Sequence, residues 1–127
     1  MQEQHLFEYA VIRIVPRVER EEFLNVGVIV FCKRPVYLGV RYHLDEEKIR
    51  QVFGETDIDC LRASLDSLYK IAAADPVGGP IARLDTAGRF RWLTATRSTM
   101  LQTSKVHPGL STDPNKMLDN LFRKLVL

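Results

Sequence analysis

The sequence predicts an α+β domain: a mainly antiparallel sheet of about four strands with helices packed on one face, in the order β-β-β-α-α-β-α. Three observations predict it. β-branched and aromatic residues gather in three short runs before residue 44, joined by connections too short for a parallel crossover. Apolar residues then recur every three or four positions from 45 to 74, and again after 113, which is the period of amphipathic helices. Strand runs and helical runs are thus segregated along the chain, unlike the strict alternation of a doubly wound fold.

The first strand is predicted over Phe7 to Val15, with Tyr9, Val11, Arg13 and Val15 on one face and Ala10, Ile12 and Ile14 on the other. Both faces are largely apolar, which suits a central strand or one covered by helices. Pro16 ends it, and Arg17 to Glu22 is a charged loop. The second strand is Asn25 to Cys32, with Val26, Val28 and Val30 on one face and Asn25, Gly27, Ile29 and Phe31 on the other. Lys33-Arg34-Pro35 turns the chain into a third strand, Val36 to His43, completing a meander.

Asp45 can cap a first helix, with Glu46 and Glu47 in the turn where negative charge suits the helix dipole and Gly54 as its stop. Ile58, Leu61, Leu65, Leu68 and Ala72 form the stripe of a second helix, with Arg62, Asp66 and Lys70 as a charged ladder beside it. The Pro76–Pro80 segment is a loop. Ile81 to Thr96 fits neither period, and Gly88 interrupts it. Thr99 to Ser104 reads as a fourth strand, able to pair with either an edge or the first strand. His107-Pro108-Gly109 reads as a turn. Asp113 caps the final helix with Pro114 at its first position, and Met117, Leu118, Leu121, Phe122 and Leu125 face its core.

The 127 residues have the length of a single domain, 1–127. No apolar run approaches the ~20 residues of a membrane span, and the opening residues lack a secretory pattern, so the expectation is a cytoplasmic protein without a membrane partner. Cys32 and Cys60 read as buried, reduced, small hydrophobes. Three scattered histidines and two distant cysteines have no zinc spacing, so neither a metal nor a cofactor is expected.

The net charge of +2 conceals an asymmetry. Residues 45–75 carry eight acidic and four basic side chains, whereas 76–112 carry five basic ones against Asp85 alone. The segment Arg89 to Thr99 packs three arginines, the only tryptophan and four hydroxyls together. Arg89, Arg91 and Arg97 can each grip a phosphate or carboxylate with a planar fork, and Trp92 could add an aromatic platform. The bland alternative is solvated arginines, or arginines paired with the acidic helices, beside a core tryptophan.

Ser98 with His107 is a conceivable nucleophile–base pair, but no nucleophile elbow or acid partner accompanies it. Arg13 interrupts an apolar strand; it is either an edge position with its head in water or an inward arginine near Asn25. The carboxylates Glu19, Glu21, Glu22, Asp57 and Asp59 are accounted for by loop solvation and capping. Nucleotide-binding glycine motifs are absent from the sequence.

The blocks Tyr9-Ala10-Val11-Ile12-Arg13-Ile14-Val15-Pro16 and Glu22-Phe23-Leu24-Asn25-Val26-Gly27-Val28-Ile29-Val30 resemble the opening of a bacterial family of small uncharacterised proteins, domain-of-unknown-function family 3037. Phe90-Arg91-Trp92-Leu93-Thr94-Ala95, Arg97-Ser98-Thr99, His107-Pro108-Gly109 and the Leu118–Phe122 helix resemble its later motifs. The resemblance implies Arg13, Asn25, Gly27, Arg91, Trp92, Arg97, Ser98 and His107 as positions of interest, without assigning roles. It also implies a protein partner, since such proteins are often encoded beside HipA-like kinases. Gly27 and Gly109 read as structural: Gly27, inside a strand, allows a bulge or a close approach, and Gly109 belongs to the turn.

Three functions follow as expectations. The first is a non-catalytic interaction or accessory module that binds a protein partner or an anionic ligand through a basic surface. The second is a nucleic-acid-binding protein, recognisable by steep salt dependence. The third is a small hydrolase or phosphodiesterase with His107 as base and Arg91 and Arg97 on the phosphate.

Overall fold

A computed structural model describes residues 4–95 and 100–127, with the backbone alone at Val18. The strands are β1 (His5–Ile14), β2 (Leu24–Cys32), β3 (Tyr37–Tyr42), β4 (Leu101–Thr103) and β5 (His107–Ser111). The helices are α1 (Glu46–Phe53), α2 (Ile58–Ala72), α3 (Thr86–Leu93) and α4 (Pro114–Leu125). All strands pair antiparallel in one sheet ordered β3-β2-β1, and β4 and β5 share the far edge of β1. The α+β class, the antiparallel meander and the order of the main elements match the sequence reading.

β1 is central because it is apolar on both faces and ten residues long. β5 lies along His5–Tyr9 and β4 along Ile12–Ile14, which settles where the late strand pairs. Ser104 fills the gap between them. Its Oγ accepts a 2.8 Å bond from the Val11 N–H, and its own N–H donates to the Val11 carbonyl at 2.8 Å. One hydroxyl thereby stands in for a missing ladder position, which a buried backbone group requires.

β5 forms where a turn was expected, at His107-Pro108-Gly109. Pro108 is tolerated because β5 is an outermost strand, and Gly109 is needed because a Cβ there would run into the Phe7 ring. A second correction lies in β2. Ile12 opposes Gly27 while Arg13 opposes Asn25, so Val26 is an extra, bulged residue. The bulge moves Val26 away from Val28 and Val30 and into the core with Ile29 and Phe31. A strict alternation had placed all three valines on one face.

α1, α2 and α3 cover one face of the sheet, where Ile12, Ile14, Ile29 and Phe31 meet Ile49, Leu61, Leu65 and Phe90. Phe31 stacks on Phe90 with ring centroids 4.9 Å apart. α2 buries Ile58, Leu61, Leu65, Leu68 and Ile71. At roughly 1.5–3 kcal/mol for each such side chain, this face outweighs the Asp57 cap, worth about 1 kcal/mol. The ambiguous Ile81–Thr96 stretch resolves into a tight turn over Pro80–Arg83 and helix α3, capped by Asp85 through Gly88 N–H. α3 is short and weakly amphipathic, so no period was legible there.

The expectation of helices on one face alone is corrected by α4. Its Leu118 packs with Phe7, Val28, Val30 and Cys32 on the opposite face. Those β2 and β1 side chains are apolar and need a cover, and α4 supplies it. Asp113 caps α4 through the N–H groups of Asn115 and Lys116. Among the described residues no helix is long and apolar enough to cross a membrane. Cys32 is buried as expected, whereas Cys60 is exposed in the first turn of α2; both are free thiols.

Candidate functional site

The arginines of the basic segment sit on or beside α3, and helical geometry separates them. Arg89 and Arg91, two residues apart, cannot share a helix face. Arg89 is turned back on its own loop, its Nη1 donating to the Leu84 carbonyl at 2.8 Å. Arg91 is exposed, and its Nε reaches only the Ala87 carbonyl of its own helix, at 3.4 Å. Trp92 is half-buried and packs against the α1–α3 core. Arg97 and Ser98 lie outside the described residues.

Pairing between these arginines and the acidic helices is not seen among the described residues. The acidic segment instead pairs in part with its own basic residues: Glu46 with Arg62 and Arg50, Asp59 with Arg62, and Asp66 with Lys70. Arg83 and Arg91 are exposed and have no ion pair among the described residues.

Arg13 is not at an edge. It lies opposite Asn25 on one side and Gln102 on the other, with its guanidinium 4.1 Å from the centroid of the Phe23 ring. Asn25 donates from Nδ2 to the Leu125 carbonyl at 3.2 Å, tying the start of β2 to the last turn of α4. Arg13 Nε and Asn25 Oδ1 are buried without a hydrogen-bond partner among the described residues. His107 is exposed at the start of β5, its ring 5.3 Å from that of Tyr9.

Tyr9 and Arg13 are four residues apart on one face of β1, so His107 and Arg13 are separated by about 13 Å along the strand. Tyr9 packs on the α4 face, whereas α3 with Arg91 covers the other. The structure therefore brings Arg13 and Asn25 together but sets His107 and Arg91 on opposite sides of the sheet. Among the described residues no group of His, Cys, Asp and Glu could hold a metal ion.

A different place is built like a site, and the sequence reading missed it. β3 is the open edge of the sheet, and a cleft of about 540 Å³ runs along it between α2 and α4. His43 N–H donates to the Val26 carbonyl at 2.8 Å, which fixes the alternation of ladder bonds. In the β2–β3 register, Arg41, Gly39 and Tyr37 then bond to β2, and the Arg41 carbonyl indeed points at Gly27. The backbone N–H and C=O groups of Leu38, Val40 and Tyr42 consequently point outward, into the cleft.

The two walls differ in chemistry. On the α2 side stand Tyr69, Ala72 and Ala73, with Tyr69 edge-on to Tyr42 at 6.5 Å. On the α4 side stand Asn115, Leu118 and Asp119. Tyr37 OH donates to Asn115 Oδ1 at 3.1 Å, and Arg41 pairs with Asp119 while lying 4.8 Å over the Phe122 ring. Burial, then the charges of Asp119 and Asp113, push the Tyr37 phenol above its ordinary value, against the pull of Arg41. The available signal in the sequence was positional: a third meander strand is an edge, and Tyr69 and Ala73 fall off the apolar stripe of α2.

Comparison with known proteins adds one match. A family described as a protein of unknown function, DUF3037, matches residues 9–126, nearly the whole chain. No curated protein matches, and no solved structure does.

Proposed function

The chain belongs to the DUF3037 family, and from that premise we propose that it is a non-catalytic interaction module that binds a protein partner in the cleft between α2 and α4. The observation that carries this reading is the edge of β3, unpaired among the described residues, on the cleft floor, with an apolar wall on one side and a mainly polar wall on the other. An exposed sheet edge is a standing template for another chain, and monomeric proteins cover or blunt it. This one is left open and framed by side chains.

A HipA-like kinase is the partner that the family resemblance implies, and it is the first to test. Binding of the purified kinase would be measured with the wild-type chain and with Ala73→Arg. Ala73 is exposed on the cleft wall, so the larger side chain obstructs the cleft without entering the core. Weaker binding by the variant supports the cleft; equal binding by both rules the cleft out as the contact surface.

A nucleic-acid partner is the second reading, favoured by Arg83, Arg91 and Lys105, all exposed and without an ion pair among the described residues. Short labelled DNA and RNA at two salt concentrations test it, because phosphate contacts make affinity fall steeply with ionic strength. Binding that ignores salt removes this reading. The hydrolase reading is less favoured, because His107 and Arg91 lie on different faces of the sheet.

A further inference from the structure

We infer that the cleft takes its partner as an added β-strand: a single extended segment that bonds to the outward backbone groups of Leu38, Val40 and Tyr42 and alternates apolar and polar side chains. This rests on the cleft reading above and specifies its ligand. The backbone of β3 sets the first requirement. Three consecutive outward-facing residues offer paired donors and acceptors at every second position, which only an extended backbone can match.

The walls set the second. Leu38, Val40 and Tyr42 belong to the face covered by α2, so partner residues on that side meet Tyr69, Ala72 and Ala73 and must be apolar. Gly39 and Arg41 belong to the α4 face, so partner residues there meet Asn115, the Tyr37 hydroxyl and the Arg41–Asp119 pair and must be polar. Successive residues of a strand point to opposite faces, so these demands alternate along the segment.

The occupant is a segment of another protein rather than a second copy of this chain. In each copy the β3 edge lies between its own α2 and α4, so two copies would bring four helix walls together before their edges reached ladder distance, about 4.8 Å, whereas a single extended segment carries no such walls. The opposite edge of the sheet is a poorer template: it is broken between Thr103 and His107 and contains Pro108.

The test uses the full chain and a displayed library of random dodecapeptides. Selected peptides are expected to alternate apolar and polar residues over at least four positions. N-methylation of the best peptide is then scanned residue by residue. Blocking the amides that bond to β3 should weaken binding by about tenfold at every second position, with little effect between them. On the protein, Leu38→Pro removes an outward N–H that β2 does not use, and it should weaken the same peptides. If that variant does not fold, the N-methyl scan on the wild-type chain decides alone.

Peptides displaced by Ala73→Arg but with no alternation in the scan would overturn strand addition and leave the cleft as a binding surface. Peptides indifferent to Ala73→Arg, or no selection at all, would overturn strand addition and the cleft together. A concentration-dependent dimer that Ala73→Arg abolishes would assign the edge to a second copy and overturn the proposed occupant.

Discussion

Gly27 is the residue where local chemistry most constrains the chain. A Cβ there would lie 2.7 Å from the Arg41 backbone oxygen and 3.0 Å from both Ile12 Cδ1 and Tyr42 Cβ. The first contact is with backbone in the middle of a sheet, so it cannot be relieved by a rotamer change. Gly27→Ala is expected to cost about 1–3 kcal/mol, read as a lower urea midpoint at unchanged slope. An unchanged midpoint would mean that the bulge at Val26 yields freely. Tyr37 gives a second residue-scale expectation. Its folded pKa is raised, mainly by burial and then by Asp119 and Asp113. Below the ordinary tyrosine pKa both states hold the proton. As pH rises from there through the folded value, the unfolded chain ionises first and stability falls. Tyr37→Phe should flatten that alkaline loss and remove a phenol that titrates above its ordinary value from the ultraviolet absorbance curve. A titration identical to wild type would contradict the assigned environment.

Capping and termination are set locally in each helix. Asp45, Asp57, Asp85 and Asp113 each cap a helix with a carboxylate oxygen. Ala74, just past α2, is held at φ 57°, in the left-handed region that a Cβ disfavours. Ala74→Gly should stabilise the protein by about 0.5–1 kcal/mol, the relieved strain less the added freedom of the unfolded chain. Thermal unfolding with a lowered midpoint would show that Ala74 makes a contact worth more than its strain. These features were readable from residue type because each depends on a few neighbours in sequence. α3 was not, since eight residues with Gly88 inside carry too little periodicity to distinguish a short helix from a strand. Only the helix shows that Arg89 and Arg91 lie on different faces.

The whole molecule is a sheet with a core on each face, and the thiols report on that arrangement. Cys32 is fully buried on the α4 face, while Cys60 is exposed. A thiol reagent should label Cys60 quickly in the native protein and reach Cys32 only on unfolding, since access there requires the α4 face to open. Rapid labelling of both would mean that α4 leaves the sheet readily. At this scale the described residues of the sequence-based candidate site are seen to be spread apart. Arg13 and Asn25 are neighbours across β1 and β2, yet His107 stands about 13 Å along the strand from Arg13, and the α3 arginines lie across the sheet. The cleft that replaces it is assembled from β3, α2 and α4, whose residues span positions 37 to 119.

The sequence by itself determined the α+β class, the meander of the first three strands, the aspartate caps, the apolar stripes of α2 and α4 and the special role of Gly27. All of these rest on interactions within a turn of helix or between successive strands, which residue type and period encode. Tertiary structure alone decided that α4 crosses to the second face, that β4 and β5 share one edge of β1 and that β3 is left open between two helices. Each of those outcomes depends on which apolar surfaces remain to be covered once the sheet has formed. A one-residue bulge at Val26 was enough to exchange the faces on which β2 packs, and no periodicity read along the chain can count it.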